Sequence, residues 1–350
     1  MKNFLKRKKD KNSGINNEPP ARITNETVAE HREQVLAGGR KFKYPVQYQK
    51  HRLVINSVAI GLAAIVLVTI LGWYQLYVAQ DSSRLIYQVT QIVPVSVASV
   101  DGEPVRYSDY LLRYRSSLYY LQQQNQINLR SDDGKRQAEY MKRVELNKVQ
   151  EQAYVSKLAR QSDIKVANEE VDAFIKKDID ARSVSLNAYE KTVLNSFYGW
   201  SLNEYKSVVQ AELLKRKVSL AIDEKAKTKI NQLYNQVNGG ADIAAIARDN
   251  SDDALTKAAS GDSGPLPLEG QDANGLIEAA AKLEKGQLSG IIEGVDGYYF
   301  IKLIDKDATS VRYTLVKAAL TTFRDQFDKL RKDNKIVEYI TVDELENLAQ

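Results

Sequence analysis

Two histidines, no cysteine and a few adjacent carboxylates are what this 350-residue chain offers for chemistry. His31 and His51 both stand ahead of a long uncharged apolar run, far from every later carboxylate. Without cysteine there is no thiolate nucleophile, disulfide, cysteine metal site or lipid-carrying cysteine. The chain lacks the glycine patterns that cradle phosphates or dinucleotides and the Gly-x-Ser-x-Gly elbow of serine hydrolases. No cofactor and no metal are therefore expected. The pairs Asp252/Asp253 and Glu169/Glu170 are neighbours in sequence, whereas acid–base catalysis needs carboxylates held on either side of a reacting group. Asp253 alone reads more naturally as a loop or helix-capping carboxylate. Tyrosine, by contrast, is abundant, with 20 in the chain. Tyr107, Tyr110, Tyr114, Tyr119, Tyr120, Tyr154, Tyr189, Tyr198 and Tyr205 cluster in one region. A tyrosine ring gives apolar contact area while its hydroxyl keeps water, which suits adaptable binding. Tyr110, Tyr114, Tyr119, Tyr120 and Tyr198 are the candidate contacts.

The elements that would carry these residues begin with a membrane anchor. Leu53 to Ala79 holds no charge, and about 20 apolar residues suffice to cross a bilayer as a helix. Lys50, His51 and Arg52 flank one end, and Trp73, Tyr74 and Tyr77 the other. Residues 1–52 hold 13 Lys/Arg against 5 Asp/Glu, so the overall charge of +5 hides a basic tail and a slightly acidic remainder. A basic stretch running into an apolar one sets membrane orientation rather than binding nucleic acid. The expectation is a single-pass cell-membrane protein with its N-terminus cytoplasmic and its C-terminal part exported. The anchor reads as an uncleaved signal anchor, because no small-x-small cleavage site follows it cleanly.

Residues 1–52 are expected as a flexible tail, 53–79 as the anchor and 80–93 as a stalk. A strand over 93–100 ends at the Asp101-Gly102 turn, and Ser108 is expected to cap the next helix. Helical spacing continues at about 134–163, 168–179, 185–197 and 201–220, with starts at Asn168 and at the Ser201/Glu204 capping box. That makes 94–222 a helical domain, long and open, completed by 318–345. Gly239, Gly240, Gly261, Gly264, Pro265, Pro267, Gly270 and Gly275 then break 223–317 into short elements of a mixed module. Two β-rich runs, 297–304 and 311–317, make a hairpin.

This arrangement resembles the SurA/PrsA class of extracytoplasmic foldases, which pair a helical chaperone domain with a parvulin-type peptidyl-prolyl isomerase domain. The first stretch that carries the resemblance is Val97-Ala98-Ser99-Val100-Asp101-Gly102-Glu103-Pro104-Val105 with Ser108-Asp109. The second runs through Gly240 to Ala247, Ser251-Asp252-Asp253, Gly261-Asp262-Ser263-Gly264, Ile277 to Ala280, Leu283 to Ser289 and Gly297 to Leu303. It implies an α+β protein with one transmembrane helix, an elongated helical domain and a parvulin-like domain built on a small antiparallel sheet.

Parvulins set an apolar proline slot, with a Met and a Phe, beside two His and an Asp or Cys. The resemblance places Tyr299 at the last-strand histidine, Asp272 near the Met, Ile277 at the Phe and Asp253 at the Asp/Cys position. Neither family histidine has a counterpart, so the domain is expected to be degenerate. A parvulin normally opens with a strand carrying the first histidine, but 215–222 continues a helix, and 311–317 is expected to fill the vacant place as in a circular permutation. The function implied is a membrane-anchored chaperone for unfolded or newly translocated polypeptides. An active isomerase with a rebuilt pocket and a cell-envelope scaffold are the alternatives, and the sequence does not specify an oligomeric state.

Overall fold

The computed structural model describes residues 23–43, 45–270 and 272–343 and divides the chain into two units, 1–72 and 73–350. In the first, α1 (Asn25–Lys43) is followed by α2 (Pro45–Trp73). Part of the tail expected to be flexible is thus helical. Its start is fixed by Thr24 and Thr27, where the Thr24 amide donates to Thr27 Oγ1 at 3.0 Å, and Ala, Glu, Gln and Arg favour continuation. Residues 1–22 of that tail lie outside the described residues. Among the described residues one helix, His51–Val78, is long and apolar enough to cross a membrane, as expected for the anchor segment.

The second unit opens with the π-helical turn Tyr74–Val78, then α3 (Arg84–Ile92), β1 (Ser96–Val100), β2 (Glu103–Arg106), α4 (Tyr107–Gln123) and α5 (Asp132–Gln161). The segment expected as a stalk is therefore folded. Tyr87 and Thr90 of α3 are buried, the Tyr87 hydroxyl donates to Glu204 at 2.9 Å, and Arg115 stacks over its ring. Ser108 does not cap α4; it is buried in the first turn, and Arg106 is the last extended residue. Next come α6 (Asn168–Ala181), α7 (Leu186–Tyr189) with its π-helical continuation Glu190–Tyr198, and α8 (Leu202–Ile222). Asn168 is already helical, and Glu170 reaches back to the Ala167 amide at 3.1 Å. The Ser201/Glu204 box is formed in both directions, at 2.8 and 3.4 Å.

The mixed module contains α9 (Glu224–Asn238), α10 (Ile243–Asn250), β3 (Leu266–Pro267), α11 (Leu276–Lys282), β4 (Ile292–Glu293), β5 (Gly297–Lys306) and β6 (Ser310–Ala319). Its antiparallel sheet runs in the order β3-β6-β5-β4. Side chains alternate across a strand, and the burial follows that rule. Tyr298, Phe300, Val316 and Ala318 pack with α9 and α10 on one face, while Tyr299, Ile301, Leu303, Tyr313 and Leu315 pack with α11 on the other. The 311–317 strand is bonded along β5, with Tyr299 opposite Lys317 and Leu303 opposite Tyr313. It is an inner strand of the sheet, between β3 and β5, whereas 215–222 is the end of α8.

The chain then returns through α12 (Thr322–Lys332) to β7 (Ile336–Glu338), which pairs with β1. Phe323, Phe327, Ile340 and Val342 join Val97, Tyr107, Leu111, Leu146 and Val155 in one core. The helical domain is thus closed by its C-terminal segment. Arg143 of α5 secures that segment, donating to the Asp343 carbonyl at 2.9 Å and to Glu338 at 2.6 Å.

Candidate functional site

On the α11 face of the sheet, the parvulin-like positions come together, but as structural groups. Asp272 accepts the Ile277 amide at 2.6 Å and the Asn274 amide at 2.9 Å, which makes it the cap of α11. Asp253 accepts the Thr256 amide at 2.8 Å and its hydroxyl at 2.9 Å, the expected loop-capping role. Ile277 is buried against Leu276 and Tyr299 in the α11 cluster.

Tyr299 is buried on β5, and its hydroxyl donates to Asp296 while receiving Asn274 Nδ2 at 3.2 Å. Lys317 lies 5.4 Å from the Tyr299 ring centroid and pairs with Asp296 at 2.6 Å. Burial pushes the Tyr299 pKa up, and its bond to Asp296 and the charges of Asp253 and Asp272 push it further. The Tyr313 hydroxyl is raised by burial and by the same two aspartates. These phenols are neutral and cannot serve as bases near neutrality. Gly294 closes the site from the side, because a Cβ there would come within 2.6 Å of both Asn274 Oδ1 and the Tyr299 ring.

Tyr313, Asn274, Asp296 and Lys317 belong to this site but were not singled out from the sequence. The signal for Lys317 and Tyr313 was the hairpin itself, since its register sets Lys317 opposite Tyr299 and puts Tyr313 on the same face.

The helical domain contains a different kind of feature, a groove of about 690 Å³ between α5, α8 and the start of α4. Val155, Ala159, Ile164, Val166, Ala211 and Leu214 give it an apolar lining. Arg106, Asp109, Gln152, Arg160, Lys165 and Gln210 supply polar groups. Asp109 is raised by burial, which outweighs the nearby Arg106 and the Ser108 hydroxyl bond. A smaller depression shares Asp109, Gln152 and Ser207 and continues to Leu112 and Val208. There the Leu112 carbonyl accepts the Trp200 indole N–H at 3.4 Å. Trp200 stacks on Tyr198 with ring centroids 4.9 Å apart.

The five candidate tyrosines divide accordingly. Tyr110 and Tyr114 stack on each other at 5.5 Å inside the core, so their rings are spent on packing and are not offered to a partner. Tyr119 packs over Gly199, whose added Cβ would meet its ring at 3.2 Å. Tyr120 and Tyr198 are exposed. Among the described residues no cluster of His, Cys, Asp or Glu is placed to hold a metal ion.

Comparison with known proteins decides the family. A model of the SurA-like N-terminal domain matches residues 47–219, and one of the PPIC-type PPIase domain matches 213–305. The chain thus pairs a SurA-like N-terminal domain with a PPIC-type PPIase domain. The second match ends before β6, the strand that occupies an inner place in the sheet. Among relatives, the foldase protein PrsA of Clostridium tetani is 30% identical over 49% of this chain and 50% of its own length. The chaperone SurA of Ralstonia nicotianae is 36% identical over 29% of this chain and 22% of its own. The periplasmic chaperone PpiD of Escherichia coli is 31% identical over 26% of this chain and 14% of its own. The chain thus matches half or less of the length of these relatives.

Proposed function

We propose that this protein is a membrane-anchored chaperone that holds extended segments of unfolded or newly translocated polypeptides outside the cytoplasm, and that its parvulin-like domain is catalytically silent. The observation that carries this reading is the contrast between its two sites. The groove in the helical domain is open and lined by apolar and polar side chains alike, whereas the polar groups of the parvulin-like face are occupied by helix caps and by the Tyr299–Asp296 bond. An open cleft with apolar surface in its lining offers contact area to the apolar side chains of an unfolded polypeptide, as a holding chaperone requires. The names of the PrsA, SurA and PpiD relatives support the same role. The basic stretch before the apolar helix supports a cytoplasmic N-terminus and an exported remainder.

The test uses the full chain in lipid nanodiscs, in an aggregation assay on an unfolded client and a proline-limited refolding assay. Suppressed aggregation with an unchanged slow refolding phase is expected. Uncatalysed X-Pro isomerisation takes tens to hundreds of seconds, so acceleration would be easy to see and would overturn the silent-domain reading. Ala211→Trp, which fills the groove, should abolish aggregation suppression while leaving the melting temperature unchanged. Unchanged suppression in a folded Ala211→Trp protein would remove the groove from the account.

A further inference from the structure

Immediately after the apolar helix, α3 presents two unlike faces. Tyr87 and Thr90 are buried against the helical domain. Leu85, Val89 and Ile92, spaced i, i+4 and i+7, form a stripe on its outer side, with Leu85 66% and Ile92 84% exposed. Val93 continues that stripe and is also exposed. Leaving such side chains in water forfeits about 25 cal/mol per Å² of apolar surface. Among the described residues all of them count as exposed.

The position of α3 along the chain names the occupant. The membrane-long helix ends at Val78, and only five residues separate it from Arg84. The link is short and internally hydrogen-bonded. The Asp81 amide donates back to the Gln75 carbonyl at 2.9 Å, Asp81 Oδ1 accepts the Ser83 amide at 2.8 Å, and Ser83 caps α3 through the Ile86 amide at 3.4 Å. The end of the apolar helix is itself held by the domain. The Tyr107 hydroxyl donates to the Leu76 carbonyl at 2.6 Å, and that of Tyr77 to the Ser96 carbonyl at 2.9 Å. Exposed Trp73 and Tyr74 mark the headgroup level on the same helix. A short amphipathic helix tied this closely to a span has its apolar side within reach of the headgroup and acyl boundary, where such helices lie.

We infer that α3 is an interfacial helix whose Leu85, Val89 and Ile92 stripe is embedded in the outer surface of the bilayer that the apolar helix crosses. The inference rests on the reading of 51–78 as a membrane span.

The chain has no cysteine, so single-cysteine variants report individual positions. Val89→Cys, Ile92→Cys, Leu62→Cys in the span and Leu255→Cys on an exposed loop are each labelled with an environment-sensitive nitrobenzoxadiazole. Each full-length protein is placed in phosphatidylcholine/phosphatidylglycerol liposomes carrying nitroxide lipids, with the spin label at the headgroup or deep in the acyl chain. Probes at 89 and 92 should shift to the blue and lose intensity to the headgroup nitroxide, the probe at 62 to the deep nitroxide, and the probe at 255 to neither. Water-like emission at 89 and 92 with deep quenching at 62 overturns the inference and leaves the span intact. No quenching at 62 removes the span and the inference together. A blue shift at 92 without lipid quenching means that protein, such as a bound client, covers the stripe, and also overturns the inference.

Discussion

Asp223 accepts the backbone N–H of Thr322 at 2.9 Å, although the two residues are 99 positions apart. The same carboxylate accepts the Thr321 amide at 2.7 Å and the Ala226 amide at 3.0 Å, and Asp223 is fully buried. It therefore stands where the chain leaves the helical domain, caps α9 and grips the strand-to-helix return before α12. The parvulin-like domain is an excursion whose two ends are fastened by one side chain. Hydrogen bonds to a charged group contribute about 1.5–3 kcal/mol each.

Asp223→Ala should destabilise the chain by roughly 3 kcal/mol, from lost charged hydrogen bonds and amides left unsatisfied. Burial alone would raise the Asp223 pKa, but the amides of Thr322, Ala226 and Thr321 outweigh it and hold it below the ordinary value. A depressed folded pKa gives stability that is present above the unfolded value of about 3.9 and is lost as pH falls through the folded value. Thermal melts between pH 7 and pH 3 should show the wild type losing this advantage over Asp223→Asn toward the acid end. A constant difference between the two would exclude the carboxylate as its source.

Arg143 gives a second prediction. Its guanidinium is buried and fork-bonded to Glu338 and to the carbonyls of Val342 and Asp343, while Gln150 also donates to Glu338 at 2.8 Å. A lysine carries the charge without the fork. Arg143→Lys should loosen the C-terminal segment first, which hydrogen exchange would read as faster exchange in β7 than in β5 and β6. Uniform protection across both sheets would contradict this.

Which features were legible depended on whether they were local. The long apolar helix, the Ser201/Glu204 cap and the β5–β6 hairpin are set by neighbours within a few residues, and the sequence pattern locates each. Tyr110 and Tyr114 could not be separated from Tyr120 by type or spacing alone, because the core that buries the first two is completed by Phe323, Phe327, Ile340 and Val342 from the far end of the chain. The segment 80–93 follows the same rule. Arg84 to Ile92 has few apolar residues facing inward, and Tyr87 is buried through the core it joins and through its contacts with Glu204 and Arg115, all distant in sequence. In the parvulin-like domain, the absence of histidine was plain, but the group around Tyr299 depends on strand register.

Asp109 in the groove should show the opposite pH behaviour to Asp223. Burial raises its pKa, so the ionised form costs stability above that pKa, and the cost disappears below the unfolded value near 3.9. Asp109→Asn should melt higher than wild type at pH 7, with the gap closing as pH falls toward 4. A gap that stays constant over that range would mean that packing rather than charge sets the difference.

Gly261 tests the packing of the sheet against α10. It has φ +84, and an added Cβ would meet the Ala247 methyl at 2.5 Å and the Leu315 carbonyl at 2.6 Å. The first contact is with a packed methyl and the second with the backbone of β6, so neither can move cheaply. Positive φ adds a further cost of about 1 kcal/mol for a residue with a side chain. Gly264 also has a positive φ, +63, but no heavy atom within 4 Å of the added Cβ. Gly264→Ala should therefore carry the conformational cost alone, whereas Gly261→Ala should carry that cost plus the clash. Chemical denaturation of the two variants separates these contributions, and equal losses would show that the close approach of α10 to β6 contributes nothing.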